Sequence, residues 1–267
     1  LFMMASVNMQ FVARSQLAYD LTNSPLAVGI VGSGFAPPIL LLSIFGGSVS
    51  DQFDKKKIIQ LAQLGMVLLA SIIAISIFLE IVTIYHLIVA SVVQGIMWAF
   101  LVPARQSLIP DLVEKKLTVN AIALSGSGMA LMTFLGPGLG GFLYEFFGAG
   151  FVYIFICLLF FAALISNQFL PDTFTGSKKN DSRVKQIKEG IIYIKKNNIL
   201  IWLLLIAMIT TILTMPLRNL MPVLMDELFS KGADAVGLML SIIGLGSLIG
   251  SLIFAGLKKG IRGLALI

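Results

Sequence analysis

Long uncharged runs alternate with short charged loops along the whole chain. Apolar runs cover about 1–20, 26–47, 58–79, 84–104, 118–143, 149–170, 199–223 and 235–257, and another begins near Gly263. Each approaches the roughly 20 residues that a helix needs to cross a bilayer. Within lipid, backbone groups must be paired inside a helix or in a closed barrel. Barrel strands alternate apolar and polar residues, whereas these runs are uniformly apolar. The pattern therefore predicts eight membrane-spanning helices and an all-α polytopic membrane protein.

The longest polar interval, 171–198, divides six spans from the rest. Its TGSKKNDS portion has the composition of a flexible linker. The following RVKQIKEGIIYIKKN sets Val184, Ile187, Ile191 and Ile194 at helical spacing among lysines, which predicts an amphipathic helix on the membrane surface leading into the seventh span. The expected organisation is a six-helix bundle over 1–170, a linker over 171–198, and the first helices of a second bundle over 199–267. Because the chain starts inside one apolar segment and stops as another begins, it is expected to be a piece of a longer protein. No basic start followed by a small-residue cleavage site marks a secretory signal.

Composition changes the picture in one respect: 58% of the residues are hydrophobic and 12% charged, against about a quarter charged in soluble domains. Lipid is the expected solvent. The net charge of +6 would suit nucleic acid, but the positions of the basic residues argue otherwise. Lys55, Lys56 and Lys57, Arg105, Lys115 and Lys116, the basic residues from Lys178 to Lys196, and Lys258, Lys259 and Arg262 all fall in alternate loops; the other loops hold Lys231 alone. The positive-inside rule predicts that loops 48–57, 105–117, 171–198 and 258–262 are cytoplasmic, with the protein in the inner or plasma membrane. No nucleic-acid partner is expected. The single cysteine, Cys157, and single histidine, His86, assemble neither a disulfide framework nor a metal or catalytic centre. No G-x-x-x-x-G-K-[ST] loop occurs, so neither an enzyme nor any cofactor is expected.

Polar groups inside spans are expensive and mark function by default. Arg14 sits deep in the first span, with no acid one turn away; its partner must come from another helix or from a solute. Arg218 lies between Pro216 and Pro222 in the seventh span, next to Asn219. Asp20, Glu80 and Glu145 fall near the outer helix ends, where water is the expected partner, although Asp20 is also a candidate for proton exchange. Phe11, Gln16, Gln94, Trp98 and Asn219 are candidates to line a cavity or simply to pack.

The stretch GGSVSDQFDKKKII concentrates charge after the second span. Gly46 and Gly47 allow a neighbouring helix to approach closely. Asp51 is expected beside the N-terminus of the third helix, where a carboxylate accepts backbone N–H groups and pairs with Lys55 to Lys57 as a gate latch. The stretch resembles the loop between helices two and three of the major facilitator superfamily, G-x-L-a-D-r-x-G-r-r-x-x-l. Gly47, Asp51, Lys55, Lys56 and Ile59 match, with Gln52 in place of arginine and Asp54 in place of glycine. GPGLGG, from Gly136 through Pro137 to Gly140 and Gly141, resembles the helix-five element of the superfamily's drug antiporters, where that smooth face is thought to limit leakage. The fourth-helix R-x-x-Q-G element survives only as Ser91 with Gln94 and Gly95, without its arginine. LAYDLTNSPLAVGIV, PARQSLIPDLVEKKLTVNAIAL and EGIIYIKKNNILIWLLL resemble the drug and siderophore exporters, including macrolide-efflux and enterobactin-exporter relatives.

The resemblance implies twelve helices in two six-helix halves rocking about a midplane site. It implies a secondary transporter that exports a small amphipathic compound such as a drug or siderophore, by proton antiport, with membrane lipid as surroundings and the monomer as the expected unit. The alternative is a lysophospholipid flippase of the same superfamily; a non-transporting membrane sensor or scaffold is the reading from another class.

Overall fold

A computed structural model describes residues 1–171 and 197–256. Among these residues lie nine α-helices: α1 (Phe2–Thr22), α2 (Pro25–Ser33), α3 (Ala36–Gln52), α4 (Lys55–Phe78), α5 (Ile84–Asp111), α6 (Thr118–Gln168), α7 (Asn198–Asn219), α8 (Met221–Phe229) and α9 (Ala233–Gly256). The expected linker helix and ninth span fall outside the described residues.

Four of the predicted spans differ in detail. The second is broken into α2 and α3, because Pro37 and Pro38 offer no N–H to the preceding turn and set the start of a new helix. Ser24 opens α2, its hydroxyl accepting from Ala27 N at 3.4 Å. The seventh span is interrupted at Leu220, just before Pro222, and α8 follows as a short helix. The fifth and sixth spans form one helix, α6, that reverses at Gly148, whose φ of 78° and ψ of 170° suit glycine alone. Through Pro137 the backbone remains helical.

Contacts along α6 show the reversal. Its first limb follows α1 in the same direction: Gly128 meets Leu1, Gly136 meets Asn8, and Gly140 meets Met9. Its second limb runs back along α4. Gly150 lies against Phe78, Cys157 Sγ is 3.1 Å from Ser71 Oγ, and Asn167 donates to Gln63 Oε1 at 2.5 Å. Helices α1 and α4 therefore run in the same direction.

The helices surround α1. Met9, Val12, Ala13 and Ala18 are fully buried there, which lets this helix carry Gln10, Arg14 and Gln16 that a lipid-facing helix would not tolerate. Outside, Leu40, Leu61, Ile72 and Leu124 project freely; such an apolar exterior suits lipid rather than water. Five described segments are long and apolar enough to cross a membrane, and one of them contains the Gly148 reversal.

Candidate functional site

At the basic end, the GGSVSDQFDKKKII segment is built differently from the expectation. Helix α3 continues through it to Gln52, so Asp51 lies in the last turn of α3 rather than at the start of the next helix; its side chain is outside the described ones. The residue that caps α4 is Asp54, whose carboxylate accepts from Lys56 N at 2.9 Å. This is the position where the superfamily pattern has glycine. Lys55 pairs with Asp111 at the end of α5, at 2.5 Å, and also donates to Ser107 O at 3.2 Å. Lys56 donates to Leu170 O at 2.5 Å. Asp111 was not a predicted site residue; its proximity depends on a packing 56 residues away in sequence.

The two adjacent glycines have unlike roles. A Cβ on Gly46 would overlap the carbonyl oxygen of Ala99, so α3 and α5 touch backbone to backbone there; around Gly47 nothing lies within 4 Å. Gly95 makes a similar close approach, with Phe35 Cα 2.8 Å from where its Cβ would stand. Ser91 donates to Val31 O at 2.7 Å. Of the remnant, Ser91 and Gly95 thus hold the broken second span against α5, whereas Gln94 turns to α1.

Midway along the bundle, Arg14 is 5% exposed. Its Nη1 donates to Gln94 Oε1 at 2.5 Å, and Gln94 Nε2 donates onward to Gln10 Oε1 at 2.7 Å. Tyr153, from the second limb of α6, is buried, and its hydroxyl has no hydrogen-bond partner. Among the described residues no carboxylate forms an ion pair with Arg14. Trp98, one turn beyond Gln94, is half-buried against the main core.

One turn before Arg14 on α1, Phe11 packs with Val12, Met221, Met225, Val236 and Leu240, and the Arg218 guanidinium sits 5.1 Å from its ring centroid. Arg218 Nε and Asn219 Oδ1 are buried without partners. The Asn219 carboxamide fills the space left by Gly32, 2.6 Å from where a Cβ there would stand. Arg14 thus bonds to α5, whereas Arg218 stacks on Phe11, one turn earlier on α1.

GPGLGG uses two faces. Gly136 and Gly140 admit α1, while Gly138 and Gly141 admit α9. A Cβ on Gly141 would strike Ala233 O and come within 2.8 Å of Gly237 Cα; one on Gly237 would stand 2.5 Å from Pro137 O. Gly244, two turns further along α9, meets Thr133 and Phe134 in the same way. Gly237 and Gly244 were not anticipated, although their seven-residue spacing puts both on one helix face.

At the end away from the lysines, polar ties link the early and late helices. The Tyr19 hydroxyl donates to Asp226 Oδ2 at 3.0 Å. Glu145 Oε2 accepts from Ala233 N at 2.9 Å, capping α9 from another helix. Asp20 accepts from Gln16 Nε2 at 2.9 Å and from the Tyr144 hydroxyl at 2.6 Å. Asp20 and Glu145, expected to be paired with water, thus have protein donors.

Comparison with known proteins gives this arrangement relatives. The family described as Transmembrane secretion effector matches residues 3–267. The staphyloferrin A transporter of Staphylococcus aureus (strain NCTC 8325 / PS 47) is 23% identical over 233 residues, covering 87% of this chain and 59% of that protein. The MFS-type transporter YfiS of Bacillus subtilis (strain 168) is 28% identical over 196 residues, covering 71% and 46%. The multi-drug resistance efflux pump PmrA of Streptococcus pneumoniae serotype 4 is 29% identical over 147 residues, covering 55% and 35%. The chain therefore spans 59% or less of the length of these relatives.

Proposed function

The chain belongs to the transmembrane secretion effector family, within the major facilitator superfamily of transporters, and from that premise we propose that it is the larger part of an exporter for a small amphipathic compound. Residues 1–170 form its first six-helix bundle, 199–267 begin the second, and the lysine-rich loops face the cytoplasm. The bundles rock about a midplane site, and a proton gradient drives export.

The observation that carries this reading is Arg14: a guanidinium 5% exposed, hydrogen-bonded to Gln94, with no carboxylate paired to it among the described residues. Breaking even with a buried charge requires a partner. A helix interface alone is served as well by neutral amides, and Gln10 with Gln94 already supplies one. A charge kept at mid-bundle is therefore assigned to the translocated compound or to coupling. The names of two relatives, a siderophore transporter and a drug efflux pump, support export of this type.

The test is flux in vesicles reconstituted with the full-length protein, comparing drugs, siderophores and lysolipids with and without a pH gradient. Gradient-dependent export is expected for a drug or a siderophore. Arg14→Gln, which keeps a donor for Gln94 but no charge, should lower that flux about tenfold or more at unchanged membrane abundance. Full flux by Arg14→Gln would make the residue structural, and absence of flux for every compound would defeat the exporter reading.

A further inference from the structure

We propose that the exported compound is an anion, held through an oxyanion group such as a carboxylate by the guanidiniums of Arg14 and Arg218. The proposal rests on the exporter reading above and names the class of compound that such a transporter takes.

Charge is sorted by type and by depth. The ion pairs Lys55–Asp111 and Lys116–Glu114 both use lysines close to helix ends, whereas Arg14, Arg105 and Arg218 form none among the described residues. The described acids keep to the ends as well. Asp20 is in the last turn of α1, Asp111 closes α5, Glu145 precedes the Gly148 reversal, Asp226 is in the short α8, and Asp234 is in the first turn of α9. The middle of the bundle therefore carries guanidiniums and, among the described residues, no carboxylate.

Arg14 and Arg218 meet α1 at nearly one depth. The Arg218 guanidinium is 5.1 Å from the Phe11 ring centroid, and Phe11 adjoins Val12, the midpoint of the 21-residue α1. Arg14 follows three residues later, about 4.5 Å along the helix axis. Each charge is costly at mid-membrane, and two of one sign raise each other's cost. Neither is neutralised by what touches it. Arg14 gives Nη1 to Gln94 Oε1, a neutral acceptor. Arg218 rests on an aromatic ring, and its Nε is buried without a partner.

These contacts leave donors in the arrangement that an oxyanion uses. A guanidinium offers five N–H donors in a planar fork, and a carboxylate accepts two of them in parallel. An anion bound there cancels charge that the amides leave standing. A neutral compound would leave both guanidiniums uncompensated, and a cation would add a further positive charge where no acid receives it. Arg105 extends the same sign toward the lysine-rich end. It lies further along α5 than Gln94 and donates to Ser125 Oγ of α6 at 3.5 Å, so an anion coming from that end meets Arg105 before Arg14. Because Arg14 is on α1 and Arg218 on α7, which the proposed function assigns to opposite bundles, an anion held by both favours the form in which the bundles approach.

The test is flux in vesicles holding the full-length protein, with carboxyfluorescein as an anionic aromatic probe and ethidium as a cationic one, each measured against protein-free vesicles. Carboxyfluorescein should move about tenfold faster than ethidium. At equal membrane abundance, Arg218→Gln should lower the anion flux about tenfold. Arg218→Lys, which keeps the charge but not the fork, should lower it about threefold. Arg218→Glu should turn the preference toward ethidium, an inversion that a purely structural arginine would not give. Ethidium flux equal to that of carboxyfluorescein, or anion flux unchanged in Arg218→Gln, would overturn the proposal. Export confined to neutral or cationic members of the drug and siderophore panel would also overturn it, while leaving the exporter reading in place. Absence of flux for every compound would remove both, because the anion assignment would lose its premise.

Discussion

The two ends of the bundle are tied in different ways. At the basic end the polar contacts stay within the first six spans: Lys55 of α4 pairs with Asp111 of α5, and Lys56 of α4 reaches Leu170 just beyond α6. At the opposite end they cross to the later helices, Tyr19 to Asp226 and Glu145 to Ala233 N. The same kind of interaction thus stiffens one bundle at the first end and fastens early helices to late ones at the second. The proposed rocking would break the crossing ties and leave Lys55 with Asp111 intact. The loop stretch that looked like a latch from its charges is therefore better placed to hold a helix pair together, and the acids at the far end are better placed to gate.

The strongest way to break this contrast is to wedge each contact apart. Gly141→Leu forces α6 from α9, because even a Cβ meets Ala233 O and Gly237. Overpacking backbone against backbone should cost about 3 kcal/mol or more. Gly46→Ala forces α3 from α5 at Ala99, and about 1–3 kcal/mol is expected. Thermal unfolding in detergent measures both. The discriminating readout is the thiol labelling of Ala235→Cys, in a Cys157→Ala background, since Ala235 packs among the residues joining α1 to the later helices. Gly141→Leu should expose it and Gly46→Ala should not. Equal labelling in the two variants would erase the distinction between the ends.

Much of this was legible in the sequence, and the limits have physical causes. The positions of the long apolar helices follow from apolar length, which lipid enforces directly, and the gap between 143 and 149 marked the Gly148 reversal. The break in the second span was missed because apolar content continues across Gly34 and Phe35, while the cause is the missing N–H of Pro37 and Pro38. The cap on α4 was assigned to Asp51 from its place in the charged stretch; the structure uses Asp54, a departure from the superfamily pattern that supplies the capping oxygen where glycine has none. Arg14 was singled out as needing a partner from another helix or from a solute; the structure supplies Gln94, 80 positions away, which no local rule identifies. The same holds for Asp20 with Tyr144 and for Glu145 with Ala233, because tertiary proximity carries no short-range signal.

A gentler probe removes single ties. Tyr19→Phe deletes the donor to Asp226, and a part-buried bond of this kind is worth about 1 kcal/mol. If the bond is present only when that end is closed, the open population should rise about fivefold, seen as faster labelling of Ala235→Cys. Lys55→Met with Asp111→Asn, taken through a double-mutant cycle, should give a coupling of about 0.5–1 kcal/mol in unfolding with no change in that labelling. A coupling that appeared in the labelling rate instead would mean that the basic end also parts during rocking.

The smallest expected effect is the most direct check on the loop. Gly47 matches the superfamily pattern and Gly46 precedes it, so resemblance alone ranks Gly47 as the more important of the two. The environments rank them in reverse. Gly47 lies within α3, has open space where its Cβ would be, and has no left-handed backbone that would require glycine. Alanine at an exposed helical position reduces the freedom lost on folding, worth about 0.5–1 kcal/mol relative to glycine. Gly47→Ala should therefore unfold at a slightly higher temperature, with Ala235→Cys labelling unchanged. Lower stability or faster labelling would show that a second conformation, in which another helix closes on Gly47, is populated; the open space beside it would then belong to one state of the gate.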